Sequence, residues 1–137
     1  IHSEFNGSAK QPVHFLQIWI EPAEMDVEPS YQQFAYDPAE KKGRLRLIAG
    51  PDKTTAEPAA FIHQDARMYA SVLAAGDFLE QPIVKSRHAW VHCAQGNITL
   101  NGRALKEGDG AAISDESALQ ITGAGPAGGE FLVFDLA

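Results

Sequence analysis

Apolar and polar residues alternate along this chain wherever a period is visible, and the period is two. In "VHFLQIWI", residues 13–20, Leu16, Ile18 and Ile20 fall on one side of an extended backbone and Phe15 and Trp19 on the other, which predicts a strand buried on both faces. "GRLRLIAG" alternates Arg44 and Arg46 against Leu45 and Leu47, and "ARMYASVL" predicts a short strand with Val72 and Leu73 at its apolar end. The clearest hairpin lies in "GNITLNGRALKEGDGAAI". There Asn101-Gly102 supplies the positive backbone angles of a tight primed turn, and residues 107–110 supply a second reversal. "FLVFDLA" closes the chain as a final strand.

Helical periodicity is nearly absent, and the best candidate is a turn or so at "DPAEKK". Residues 22–33, "PAEMDVEPSYQQ", carry Pro22 and Pro29 among acidic and polar residues and read as a linker between two bodies. "GPDKTTAEPAA" reads as a long polar loop, and "GAGPAGG" as a flexible reversal before the last strand. Short strands punctuated by Gly, Pro and Asn predict an all-β sandwich or barrel.

At 137 residues the chain has room for one domain with a proper core. Its apolar share of 45% and charged share of 21% are those of a soluble globular protein, and no apolar run is long enough to span a membrane. A net charge of −7 argues against nucleic acid and anionic membranes as partners. Cys93 is the single cysteine, so no internal disulfide forms and nothing points to an oxidising compartment. A cytoplasmic location is the expectation. The chain lacks both an initiating Met and a basic stretch leading into an apolar core, and reads as the downstream part of something longer.

Candidate chemistry is sparse. His2 and Glu4 in "IHSEFN" would present an imidazole and a carboxylate on one face of a strand, which is half of a transition-metal site. His88, Trp90 and His92 share a face if "RHAWVHC" is a strand, but no carboxylate or third imidazole sits at a matching spacing, so the two imidazoles read as polar groups on a barrel face that bond to their neighbours. In "IHQDAR", His63, Asp65 and Arg67 read as a polar cluster that holds a loop or interface in place. Cys93 has only His92 beside it as a base and is expected to be buried rather than nucleophilic.

Taken together and in order, "HSEFN", "HFLQIWIEP", "PSYQQ", "IHQDAR", "AWVHCAQGNITLNGRALKEGDGAAI" and "FLVFDL" resemble the pirin family of bicupins over essentially the whole chain, in the group that includes quercetin 2,3-dioxygenases. The resemblance implies two cupin-type jelly-roll β-barrels with a metal in the first, held by three His and one Glu. His2 and Glu4 match the later His-x-Glu pair of that site, while the earlier His-x-His pair is not in this chain. The implied organisation is residues 1–21 as terminal strands of a truncated amino-terminal cupin, 22–33 as linker and 34–137 as the carboxy-terminal cupin. That second barrel lacks the ligand pair before "AWVHCAQG" and has Asp115, Glu116 and Ser117 where a later His would lie, so it is expected to be metal-free.

For the intact protein the resemblance implies oxygenation of a flavonol such as quercetin at Fe(II) or another divalent metal. His2 would be a ligand, and Glu4 a ligand or the acceptor of a phenolic proton. The isolated chain is expected to hold no metal tightly and to be inactive. Its partners would be the missing amino-terminal cupin domain or, through residues 1–20, a second copy or its own barrel. A non-catalytic regulatory module that binds other proteins, or a barrel that merely shapes the first domain's pocket, are the alternatives.

Overall fold

Two long strands organise the fold. In this computed structural model, which describes residues 3–137, the elements are α1 (Pro38–Lys41), β1 (Arg46–Gly50), β2 (Ala60–Phe61), β3 (Ala66–Leu73), β4 (Phe78–Pro82), β5 (His88–Leu100), β6 (Arg103–Lys106), β7 (Gly110–Ile113) and β8 (Ala118–Leu136). β5 and β8 lie antiparallel at the centre, and both change register near Gly96 and Gly129. On one side of that bend, β3 and then β1 and β2 extend the sheet from β8, while β7 pairs with the first half of β5. On the other side, β4 pairs with the first part of β8 and β6 with the end of β5.

The bend turns the sheet into two facing layers because alternation is kept in both halves of each long strand. Leu73, Val91, Cys93, Phe131 and Val133 point inward from one layer. Ile98, Leu100, Leu105, Leu119 and Ile121 meet them from the other, and all ten are nearly or fully buried. The architecture is that of a cupin-type β-barrel.

The predicted hairpin is present, with Asn101 at φ 47° and Gly102 at φ 78° turning β5 into β6, and Gly108 at φ 87° turning β6 into β7. The "DPAEKK" turn is α1, begun by Asp37, whose carboxylate accepts the Ala39 N–H at 2.8 Å. "ARMYASVL" coincides with β3.

Three expectations fail for stated physical reasons. Residues 13–20 form no strand: no neighbouring strand offers them a ladder, and Phe15 and Trp19 are exposed rather than buried. Arg46 does not keep to a polar side with Arg44, because it lies almost wholly buried beneath α1. "GAGPAGG" is no free reversal: it lies inside β8, where extra residues between Ala124 and Gly129 absorb the register change. β4 carries no clean alternation and escapes the sequence pattern altogether.

Candidate functional site

Glu4 sits in an irregular, exposed amino-terminal arm, and His2 lies outside the described residues. Among the described residues no group of three or more His, Cys, Asp or Glu gathers closely enough to hold a metal ion. The donors present therefore do not fit a metal on their own. Any site built on Glu4 needs ligands from beyond these residues.

The arm rests on one end and one face of the barrel. Gln64 Nε2 donates to the Glu21 carbonyl at 2.9 Å, Ala23 N–H donates to the His63 carbonyl at 2.7 Å, and Phe61 N–H donates to Gln32 Oε1 at 2.7 Å. Further along, His14 Nδ1 and Gln95 Nε2 approach to 3.3 Å. Leu16 and Ile18 lie over Trp90, His92, Leu132 and Phe134 on the outer face of the β5/β8 layer, leaving an open cleft of about 280 Å³.

Inside the barrel, space is scarce. The core side chains fill it, and at one end remains a cavity of about 60 Å³ bordered by Tyr69, Ile83, Ala89, Leu119, Val133 and Asp135. That holds a water or two and excludes an aromatic substrate. Burial pushes the Tyr69 phenol above its usual range, with the charge of Asp135 adding to the shift. Arg87 closes this end. Its Nε donates to Asp135 at 2.5 Å and its Nη1 to both Asp65 oxygens at 3.1 Å, which hold the guanidinium more firmly protonated than usual, Asp135 first.

The sequence-derived candidates separate in space. His88, Trp90 and His92 do share the outward face of β5, as the alternation predicts. His88 Nδ1 bonds Ser114 Oγ at 2.8 Å, while His92 pairs across the sheet with Leu132 and Gly110. The His63–Asp65–Arg67 cluster does not form, because residues 63–65 bend before β3 begins. His63 packs edge-on against Phe61, Asp65 pairs with Arg87, and Arg67 reaches Asp52 at 3.3 Å. The Arg87–Asp135 pair spans 48 residues and leaves no local sequence signal.

Cys93 is fully buried, with Sγ facing the carbonyls of Gln95 and Gly96. Burial raises its thiol above the ordinary range, and the negative charges of Asp109 and Glu107 add to the rise. We expect the native thiol to resist iodoacetamide at about pH 8, near the free-thiol pKa, and to label fully once the chain is denatured. Mass spectrometry before and after unfolding measures this.

These features define a cupin-type barrel with a filled core and an amino-terminal arm that rests on it without forming a strand. The family described as the quercetinase C-terminal cupin domain matches residues 47–136, and the chain belongs to it. It is 34% identical over 135 residues to a quercetin 2,3-dioxygenase of Escherichia coli (strain K12), covering 98% of this chain and 55% of the relative. A pirin-like protein of Caulobacter vibrioides is 31% identical over 121 residues, which cover 88% of this chain and 51% of that one.

Among solved structures, YhhW from Escherichia coli superposes with a TM-score of 0.77 at 31% identity, over 87% of this chain and 48% of that one. The same bacterial pirin in complex with nickel(II) superposes at 0.73 and 30% identity, over 84% of this chain and 47% of that one. The chain spans about half the length of the curated relatives it matches. Among the described residues no helix is long and apolar enough to cross a membrane.

Proposed function

We propose that this chain is the carboxy-terminal barrel of a two-barrel protein that oxygenates a flavonol such as quercetin at a divalent transition metal in its amino-terminal barrel. The observation that carries the reading is the 98% coverage of this chain by a relative named quercetin 2,3-dioxygenase. A solved pirin in complex with nickel(II) supports the metal, with Fe(II) or another divalent ion as the native choice. The metal, when bound, supplies Lewis-acid and redox chemistry. His2 would ligate it together with residues of the first barrel, and Glu4 would either complete the ligand set or accept a phenolic proton.

In this reading residues 1–21 belong to the amino-terminal cupin, 22–33 connect, and 34–137 form the second barrel. Exposure supports that division: among the described residues, six of the twelve exposed large apolar residues fall within residues 3–21, two in the connecting segment and four in residues 34–137. In this reading the second barrel contributes a covering surface, since among the described residues no group of His, Cys, Asp or Glu gathers to hold a metal.

Metal analysis and aerobic quercetin consumption by the full-length protein test the proposal, alongside His2→Ala and Glu4→Ala variants. Stoichiometric metal and turnover in the intact protein, both lost in either variant, are expected. The 137-residue chain alone should bind less than one metal per molecule. Full metal and activity in the His2→Ala, Glu4→Ala double variant would remove these residues from the site.

A further inference from the structure

One side chain fastens the β5–β6 turn to β8. β5 ends at Leu100, opposite Ile121 of β8, and Asn101 carries the ladder one step further. Its N–H donates to the Gln120 carbonyl at 2.9 Å, and its Oδ1 accepts the Gln120 N–H at 2.7 Å, where a continuing strand would offer a carbonyl. Nδ2 donates to the Ala118 carbonyl at 3.1 Å. The carboxamide is therefore held by two bonds to β8, although the turn itself is exposed.

Asn101 is followed by Gly102, and the pair carries a chemistry of its own. Gly102 has no side chain to shield its backbone nitrogen, and nothing lies within 4 Å of the place a Cβ would take. That nitrogen can attack Asn101 Cγ: the N–Cγ bond forms, the Cγ–Nδ2 bond breaks, ammonia leaves, and a cyclic imide closes. Water then opens the ring at either carbonyl. The product is Asp or, with the main chain rerouted through the side chain, isoaspartate. Only water is consumed.

The reaction makes Cγ tetrahedral and expels Nδ2, so the carboxamide's two bonds to β8 are given up before the imide forms. Interactions made in the ground state and lost in the transition state slow a reaction. We propose that Asn101-Gly102 is a deamidation site that the folded barrel holds closed and that opens whenever the turn lets go of β8. Conversion then reinforces itself. A carboxylate has no donor for the Ala118 carbonyl, and isoaspartate adds a backbone carbon between residues 101 and 102 that a tight primed turn cannot absorb. The chain thereby keeps a covalent record of opening at this corner.

Asn6-Gly7 is a reference within the same chain. Asn6 Oδ1 accepts the Ser8 N–H at 2.9 Å and its Nδ2 donates to the Gln11 carbonyl at 2.7 Å, so its bonds are local and belong to no sheet. The test incubates the chain at mildly alkaline pH in buffer and in guanidinium chloride. Trypsin then separates the two sites into residues 1–10 and 88–103. Mass spectrometry follows the conversion of amide to acid and places it at Asn101 rather than Asn97. Asp-N protease, which cuts before Asp but not before isoaspartate, sorts the products.

In denaturant both sites should convert, with isoaspartate among the products. In buffer Asn101 should slow by about tenfold or more, as two hydrogen bonds must open first, and Asn6 by clearly less. No conversion at Asn101 in denaturant, or Asp without isoaspartate, would remove the cyclic step. Equal rates at Asn101 in the two solvents, or the same slowing at both sites, would overturn the gate. Asn101→Asp, which installs one product directly, should melt about 3 °C or more below the parent chain. An unchanged melting temperature would overturn the self-reinforcement.

Discussion

Gly128→Ala is expected to destabilise the barrel by at least about 3 kcal/mol, and to leave little soluble protein at 37 °C. Two independent penalties combine there. Gly128 has φ +74°, a conformation that costs an L-residue roughly 1 kcal/mol or more, and a Cβ built on it would lie 1.9 Å from the Leu73 carbonyl oxygen and 2.8 Å from the Ala74 carbonyl carbon. Backbone of β3's end cannot step aside, because Leu73 is fully buried and paired with Gly129 of β8. Gly108→Ala is the control. Its φ of +87° is equally left-handed, but nothing lies within 4 Å of the added carbon, so only the conformational cost of about 1 kcal/mol should appear. Denaturant titration of both variants separates strain from collision. Equal losses in the two would mean that β8 relaxes at its Gly-rich bulge.

Arg46→Leu should cost about 3 kcal/mol, despite replacing a charge with an apolar group in a buried position. The guanidinium is 1% exposed and fully engaged. Nε donates to Glu40 Oε2 at 3.0 Å, Nη1 to the Leu47 carbonyl at 2.6 Å and Nη2 to the Pro58 carbonyl at 2.9 Å, while Glu57 lies 3.3 Å away and the Tyr36 ring 4.9 Å. Glu40 and Glu57 are more than a third exposed and can turn to water, so the loss comes chiefly from the two carbonyls and the packing. Arg46→Lys should recover only part of it, since a single ammonium cannot serve three divergent acceptors.

The same arrangement sets an acid response. Glu40 accepts the Asp37 N–H that opens α1, and this bond, followed by the one from Arg46, holds its carboxyl below the ordinary value of 4.5. A depressed carboxyl contributes stability that is present above its unfolded value and fades as pH falls through the folded one. Urea midpoints measured between about pH 6 and pH 3, spanning the usual carboxylate range, should fall less steeply for Arg46→Leu than for the parent chain. An unchanged slope would mean that the Asp37 cap alone controls Glu40.

The elements legible in the sequence were those whose cause is local. Asn101-Gly102 must turn because of the angles the two residues accept, and Asp37 with Pro38 and Glu40 must start a helical turn because cap and first-turn partners are three residues apart. Alternation in β5 correctly put His88, Trp90 and His92 on one face, which is the outward one, and Cys93 is buried as expected. The family resemblance was legible as well, since motifs spread over the whole chain kept their order. The His2 and Glu4 pairing remains a reading of that resemblance.

What periodicity misjudged depended on neighbours far away in sequence. Residues 13–20 have the composition of a strand, but a strand exists only where another backbone offers bonds, and none does for them within this barrel. Arg46 looks like a solvent residue until Pro58, Glu40 and Tyr36 arrive around it, and Asp65 looks like a partner for His63 until Arg87 crosses from 22 residues on. The all-β period, the turns, the short helical turn at "DPAEKK" and the family were legible because each rests on residues within a few positions of one another or on motifs kept in order. Only the tertiary structure decided which charges are buried, that the barrel interior is filled, and that the arm is left unpaired, because burial and strand pairing are properties of distant segments brought together.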